Sequence, residues 1–170
     1  MIPDVLQAAA LASALQLALG AETKRGSQQT AKRAIAILEA KGLGFRAPTA
    51  KERDALLAGF AMQQKVIYGA AFDIIQTSQD VDLVDPIDIA AKLDAITLFE
   101  IKSTNRAEIG PDFRQYFFNL STAELLVAQS LGEQFRFAFV NTLTGDHSEM
   151  TLREVFAKAR GIYPSWSTKF

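Results

Sequence analysis

The stretch Leu98-Phe99-Glu100-Ile101-Lys102-Ser103-Thr104 carries a carboxylate and an amine two residues apart in an otherwise apolar run. Side chains alternate across a strand, so a strand here projects Glu100 and Lys102 to one face and sends Phe99 and Ile101 to the other. An earlier run, Phe72-Asp73-Ile74-Ile75, carries a second carboxylate. Paired beside the first, it brings Asp73 to the same edge, where two carboxylates are hard oxygen ligands for a divalent cation. Hydrolysis of a phosphodiester needs a metal-bound water, neutralisation of charge on the scissile phosphate and a group that orients the attacker, and this set supplies all three.

Positioning these groups requires a sheet, and the chain offers one framed by helices. Pro3-Asp4 starts a helix that stops at Gly20, and Ser27 caps a second with Ala31, Ile35 and Leu38 on one face and Gly42 closing it. The capping box Thr49-Ala50-Lys51-Glu52 opens a third, with Leu56, Leu57 and Phe60 as its buried stripe. Ala71 to Gln76 then reads as the first core strand, and Pro86 can start a short helix in the polar connection that follows. The second strand spans Ala95 to Ser103, and Gly110-Pro111 marks a turn beyond it. A further capping box, Ser121-Thr122-Ala123-Glu124, opens a helix to Leu131 with Gly132 as its stop. Phe135, Phe137 and Phe139 alternate with Arg136, Ala138 and Val140 in a strand with one aromatic face. Thr151-Leu152-Arg153-Glu154 caps a last helix ending at Gly161.

The acid on one strand and Glu100-Ile101-Lys102 on the next, followed by serine and threonine, resemble the signature of the PD-(D/E)xK nucleases, the restriction-endonuclease-like superfamily. The strand, helix, strand order from Glu100 to Val140 is similar to the second half of that nuclease core, and the resemblance covers roughly residues 60 to 145. It implies an α/β fold: a restriction-endonuclease-like core with a mixed central sheet flanked by helices over 67–170, and an N-terminal helical segment over 1–66 packed on it as one globular domain. It also implies a Mg²⁺-dependent DNA endonuclease, such as a small type II restriction enzyme, with Mn²⁺ able to substitute. Asp73, Glu100 and Lys102 would be catalytic, and Asp73, Glu100 and the Ile101 carbonyl would ligate the metal. Gln64 would be an auxiliary polar ligand. Arg106, Arg114, Gln115 and Asn119 would face double-stranded DNA. A chain with one site cuts both strands as a homodimer, built here through the N-terminal helices. Two alternatives stand beside this reading: a structure-specific or repair nuclease, and a non-catalytic nucleic-acid-binding module on the same fold.

Asp94 rivals Asp73 as the first acid, although its place suggests a cap on the turn into the strand. Asp85 precedes Pro86 but falls in a loop. Glu124 is what a capping box asks for, and catalysis is the lesser reading. His147, the one histidine, sits in a turn with no second histidine to share a metal. Trp166 reads as a packing anchor. No Gly-x-x-x-x-Gly-Lys loop is present, which counts against an ATPase.

Charge is unevenly spread behind a net of −1. Residues 22 to 53 hold eight basic side chains against three acids, whereas 73 to 100 hold seven acids against Lys92 alone. The basic part could track phosphates, and the acids gather where a cation would sit. At 170 residues, about half apolar, the chain can bury a core. It has no cysteine, so disulfides and thiolate metal sites are excluded and a cytoplasmic location is the default. Val5 to Leu19 is apolar but too short to span a bilayer, so no membrane partner is expected.

Overall fold

The computed structural model describes residues 29–163. The expected helix from Pro3 to Gly20, the Ser27 cap, Trp166, and Lys24 and Arg25 of the basic stretch lie outside the described residues, as does any dimer contact through that first helix. What is described is a mixed α/β fold: a four-stranded mixed sheet flanked by helices. The strands are β1 (Ile74–Thr77), β2 (Ile96–Thr104), β3 (Phe135–Asn141) and β4 (His147–Met150), in that spatial order. β1 runs antiparallel to β2, β2 parallel to β3, and β3 antiparallel to β4. Helix α1 covers 29–40, α2 Ala50–Met62, α3 Pro86–Ala91, α4 Thr122–Leu131 and α5 Leu152–Lys158.

Alternation along β2 divides the core in two. Phe99 and Ile101 pack with Ala34 and Leu38 of α1, Phe45, Ile74, Ala138 and Val140 on one side of the sheet. Ile96 and Leu98 face the other way, into a larger cluster with Leu56 and Phe60 of α2, Ile89 of α3, Val127 of α4 and Val155 of α5. The parallel pair β2 and β3 is joined through α4, as a parallel crossover requires. The outer edge of β1 is paired in turn, since Arg46 and Ile75 exchange both main-chain hydrogen bonds (3.0 and 2.9 Å).

Helix starts follow their local signals. Thr49, Ser121 and Thr151 each accept from the N–H three residues on, and Glu52, Glu124 and Glu154 return the bond to the cap residue's own N–H. Gly42, with φ +67, follows α1 in the left-handed region where a glycine carries no Cβ penalty. α2 approaches α3 at Gly59, where an added Cβ would lie 2.8 Å from the Ile89 Cβ and 3.0 Å from the Pro86 carbonyl. Gly59→Ala is therefore expected to destabilise the fold by about 1–3 kcal/mol despite alanine's better helix propensity, read as a lower urea midpoint.

Three elements have bounds that differ from the sequence expectation, and one strand was not expected. β1 begins at Ile74, because Gly69–Ala71 forms a 3₁₀ turn. β2 begins at Ile96, after a second such turn over Leu93–Ala95, and reaches Thr104. The last helix ends at Lys158, where Ala159 is already extended. Strand β4 was not expected, and it takes His147 out of the turn and pairs it with Val140.

Candidate active site

Register brings the two carboxylates together. Ile74 and Phe99 form the last pair of the β1–β2 ladder, and Asp73 stands one step before it, close enough to Glu100 for its charge to act on that carboxyl. Ile74 and Phe99 both face α1, and Glu100, next along β2, faces the other way. At that step the Asp73 side chain takes over part of the ladder: its Oδ2 accepts the Ile101 N–H at 3.0 Å, while its own N–H donates to the Phe99 carbonyl at 2.8 Å. The turn before it is gripped from α2. Arg53 donates to the carbonyls of Gly69 and Phe72 (2.8 Å to Phe72) and stacks its guanidinium 4.3 Å over the Phe72 ring. Arg53 is itself seated on a helix whose Glu52 is locked to Arg46 by two bonds of 3.0 and 2.8 Å. That fork holds the Glu52 carboxyl down at about 2, well below the usual carboxylate range.

Lys102 lies two residues along the same face, and its Nζ is shared by two acids. It donates to Glu100 Oε1 at 3.0 Å and to Glu124 Oε2 at 2.7 Å. All three side chains are largely buried, with 13 % of Glu100, 10 % of Lys102 and 10 % of Glu124 exposed, so these are ion pairs in a poorly solvated setting. Phe137 and Phe139, the register partners of Glu100 and Lys102 on β3, supply the apolar surroundings. Burial pushes the Glu100 carboxyl up to about 8, and the nearby Asp73 charge adds to it. Lys102 pulls the other way and Glu124 adds a smaller upward push. Glu100 is thus a carboxyl held beside other acids with less positive charge than it needs.

The loop between β2 and α4 is fixed by buried contacts beneath exposed polar tips. Asn141 Nδ2 donates to the carbonyls of Arg106 and Ile109, both at 3.0 Å, and Tyr116 Oη donates to the Ser103 carbonyl at 2.6 Å. Burial pushes the Tyr116 hydroxyl up to about 12. Phe113 and Phe118 pack against Phe139 with ring centroids 5.8 and 4.9 Å away. This packing sustains left-handed backbone at Phe113 (φ 53) and Gln115 (φ 63), conformations a non-glycine residue adopts at a cost. Arg106, Arg114, Gln115 and Asn119 are all exposed on this loop, with Arg114 bonded to Asp112 at 2.6 Å. A polar hollow of about 480 Å³ opens beside the end of β2, lined by Gln29, Thr30, Arg33, Asn105 and Thr142.

The other candidates fall elsewhere. Gln64 is exposed in the left-handed turn that ends α2, and its neighbours turn to the opposite end of the sheet: Gln63 bonds to the Ala90 carbonyl and Lys65 to Gln134, just before β3. Asp94 is exposed in the turn before β2, and Asp85 caps α3 by accepting the Ile87 N–H at 2.9 Å. His147 lies on the α1 side, 3.7 Å from Glu149, with burial and Lys41 holding its imidazole below the usual value. Sequence reasoning gave Arg53 no place at the site and ranked capping above catalysis for Glu124. The capping box was visible, but the seat of that cap over Lys102 is a tertiary fact.

Among the described residues no three His, Cys, Asp or Glu side chains gather closely enough to cage an ion by themselves. The donors at the cluster are hard oxygens: the carboxylates of Asp73 and Glu100 and the Ile101 carbonyl. That set fits a cation that accepts a few protein oxygens and keeps several waters, which is the habit of Mg²⁺. No described helix is long and apolar enough to cross a membrane. Comparison of the chain with family models, with curated proteins and with solved structures finds no match, so the reading of this cluster rests on its own geometry.

Proposed function

We propose that this chain is a Mg²⁺-dependent DNA endonuclease on a restriction-endonuclease-like, PD-(D/E)xK core, working as a homodimeric type II restriction enzyme. The observation that carries the reading is the closeness of Asp73 to Glu100 at the end of the β1–β2 ladder, with Lys102 two residues further along β2. The β1, β2, α4, β3 order with a parallel β2–β3 pair agrees with the same core.

Asp73, Glu100 and the Ile101 carbonyl would hold the ion. Bound there, Mg²⁺ supplies a Lewis acid for the scissile phosphate and a water of lowered pKa. Lys102 directs its ammonium to the attacking water and a phosphate oxygen, adding positive charge where it develops in the transition state. Asp73 fixes the Ile101 main chain through its N–H and so fixes the carbonyl's strand. Arg106 and Arg114 contact the duplex backbone, and Gln115 and Asn119 present amides to base edges. Arg33, on the wall of the polar hollow, extends the phosphate track.

Purified protein incubated with supercoiled and linear genomic DNA in Mg²⁺ tests this. Discrete fragments that disappear with EDTA and in Asp73→Asn are expected. Cutting confined to junctions or flaps would replace restriction by repair, and intact DNA across all substrates would leave a binding module.

A further inference from the structure

We infer that Glu124 is a positioning residue for Lys102, so that the N-terminal cap of α4 aims the ammonium used in cleavage. The inference rests on the nuclease reading above and adds to it a residue outside the strand motif.

Glu124 Oε2 accepts from two donors at once, the Ser121 N–H at 3.2 Å and Lys102 Nζ at 2.7 Å. The first bond closes the capping box, which fixes the carboxylate relative to the helix start. The second carries that fixed position across to the strand. Glu100 offers Lys102 its other partner, at the longer distance of 3.0 Å. The nuclease reading asks Glu100 to serve a divalent cation as well, and a carboxylate whose charge is divided holds an ammonium less firmly. Glu124 has no such second demand, since its remaining partner is a neutral N–H. It is also the more constrained of the two: Glu124 is a buried residue, with Val127 and Ala128 of the same helix in the core behind it. A lysine carries considerable rotamer freedom, and a fixed carboxylate at one end of its reach removes much of it before substrate arrives.

The matched pair of glutamates in this chain separates positioning from capping. Glu154 occupies the same third position of a capping box on α5, is exposed, and has Thr151 as its partner. Glutamine can close a capping box, so Glu124→Gln and Glu154→Gln both keep their helix starts. Steady-state cleavage of plasmid in Mg²⁺ is expected to show kcat lowered about 10-fold or more in Glu124→Gln with KM within about twofold, and Glu154→Gln equal to wild type. In parallel, the Lys102 ammonium is followed by nitrogen-15 NMR, with its signal identified by its absence in Lys102→Arg. A slowly exchanging signal is expected in the wild type and its broadening or loss in Glu124→Gln and Glu124→Ala. Wild-type kcat in Glu124→Gln, or a Lys102 signal unchanged in both variants, overturns the inference. An equal fall in Glu154→Gln also overturns it, because the loss would then belong to capping. Wild-type protein that cuts no DNA overturns the nuclease reading itself, and is distinguished from the other failures by that control alone.

Discussion

Glu100→Gln is expected to abolish cleavage and, at the same time, to raise the melting temperature at pH 8. On the proposed reading this removes a carboxylate that would hold the ion and face the reacting phosphate, which should lower kcat/KM by at least about 10³-fold. Stability moves the other way because of the sign of the proton linkage. The Glu100 carboxyl sits at about 8 in the folded chain against an ordinary 4.5. Its contribution is fully present below 4.5 and is lost as pH rises through about 8, since the unfolded chain sheds the proton first. Glutamine is neutral throughout and keeps what the wild type loses. The difference at pH 8 is on the order of a few kcal/mol, and each kcal/mol is worth roughly 2–4 °C in a chain of this size. Thermal melts at pH 8 and pH 4.5 in EDTA check this: the variant should gain at the first and converge on the wild type at the second. A variant melting at or below the wild type at pH 8 would show that the Glu100 charge is not strained.

Lys102→Met should be inactive and also markedly less stable. The substitution keeps the aliphatic stem but leaves Glu100 and Glu124 without their shared cation in a site that solvent scarcely reaches. Breaking a buried pair on one side costs about 3–5 kcal/mol, most of it the desolvation of the charge left behind. Here the loss has an outlet, because Glu100 can take up a proton. The deficit is therefore expected to be largest at pH 8 and to shrink towards pH 5, and the double variant Glu100→Gln with Lys102→Met should recover part of it. Urea midpoints of the four proteins at the two pH values give the coupling directly. A Lys102→Met protein as stable as wild type at pH 8 would remove the case for a buried ion pair.

How much of this was legible depended on whether a signal was local. Three capping boxes, at Thr49, Ser121 and Thr151, gave helix starts because each is closed within four residues. Phe135 to Val140 declared β3 by alternation, and Glu100 with Lys102 declared a shared face. What failed was set from a distance. Residues 71–73 have the apolar character of a strand, yet Gly69–Ala71 turns as a 3₁₀ helix whose neighbourhood is bound by Arg53, many residues earlier, and β1 starts only at Ile74. His147-Ser148-Glu149-Met150 has little strand propensity of its own, and it becomes β4 because β3 offers an edge. Sequence preferred Asp73 to Asp94 on local grounds alone, whereas the nearness of Asp73 to Glu100 and the exposure of Asp94 before β2 belong to the β1–β2 pairing, which no single stretch of sequence contains. Glu124 needed the placing of α4 above β2.

The pair Ile74 and Ile75 gives that register a particular weight. The two face opposite sides of the sheet, one towards α1 and the other into the larger core. A slip of β1 by one residue would exchange isoleucine for isoleucine, so hydrophobic patterning, the usual guardian of strand alignment, is blind to the error. Such a misaligned chain would bury nearly the same oil yet turn Asp73 away from Glu100. Fidelity must come from polar contacts instead: the Asp73 bond to the Ile101 N–H, the Arg53 grip, and the Arg46 bridge on the far edge. The aspartate proposed to hold the ion thereby also proofreads the sheet, and a molecule folded one step out of line would be compact but catalytically silent.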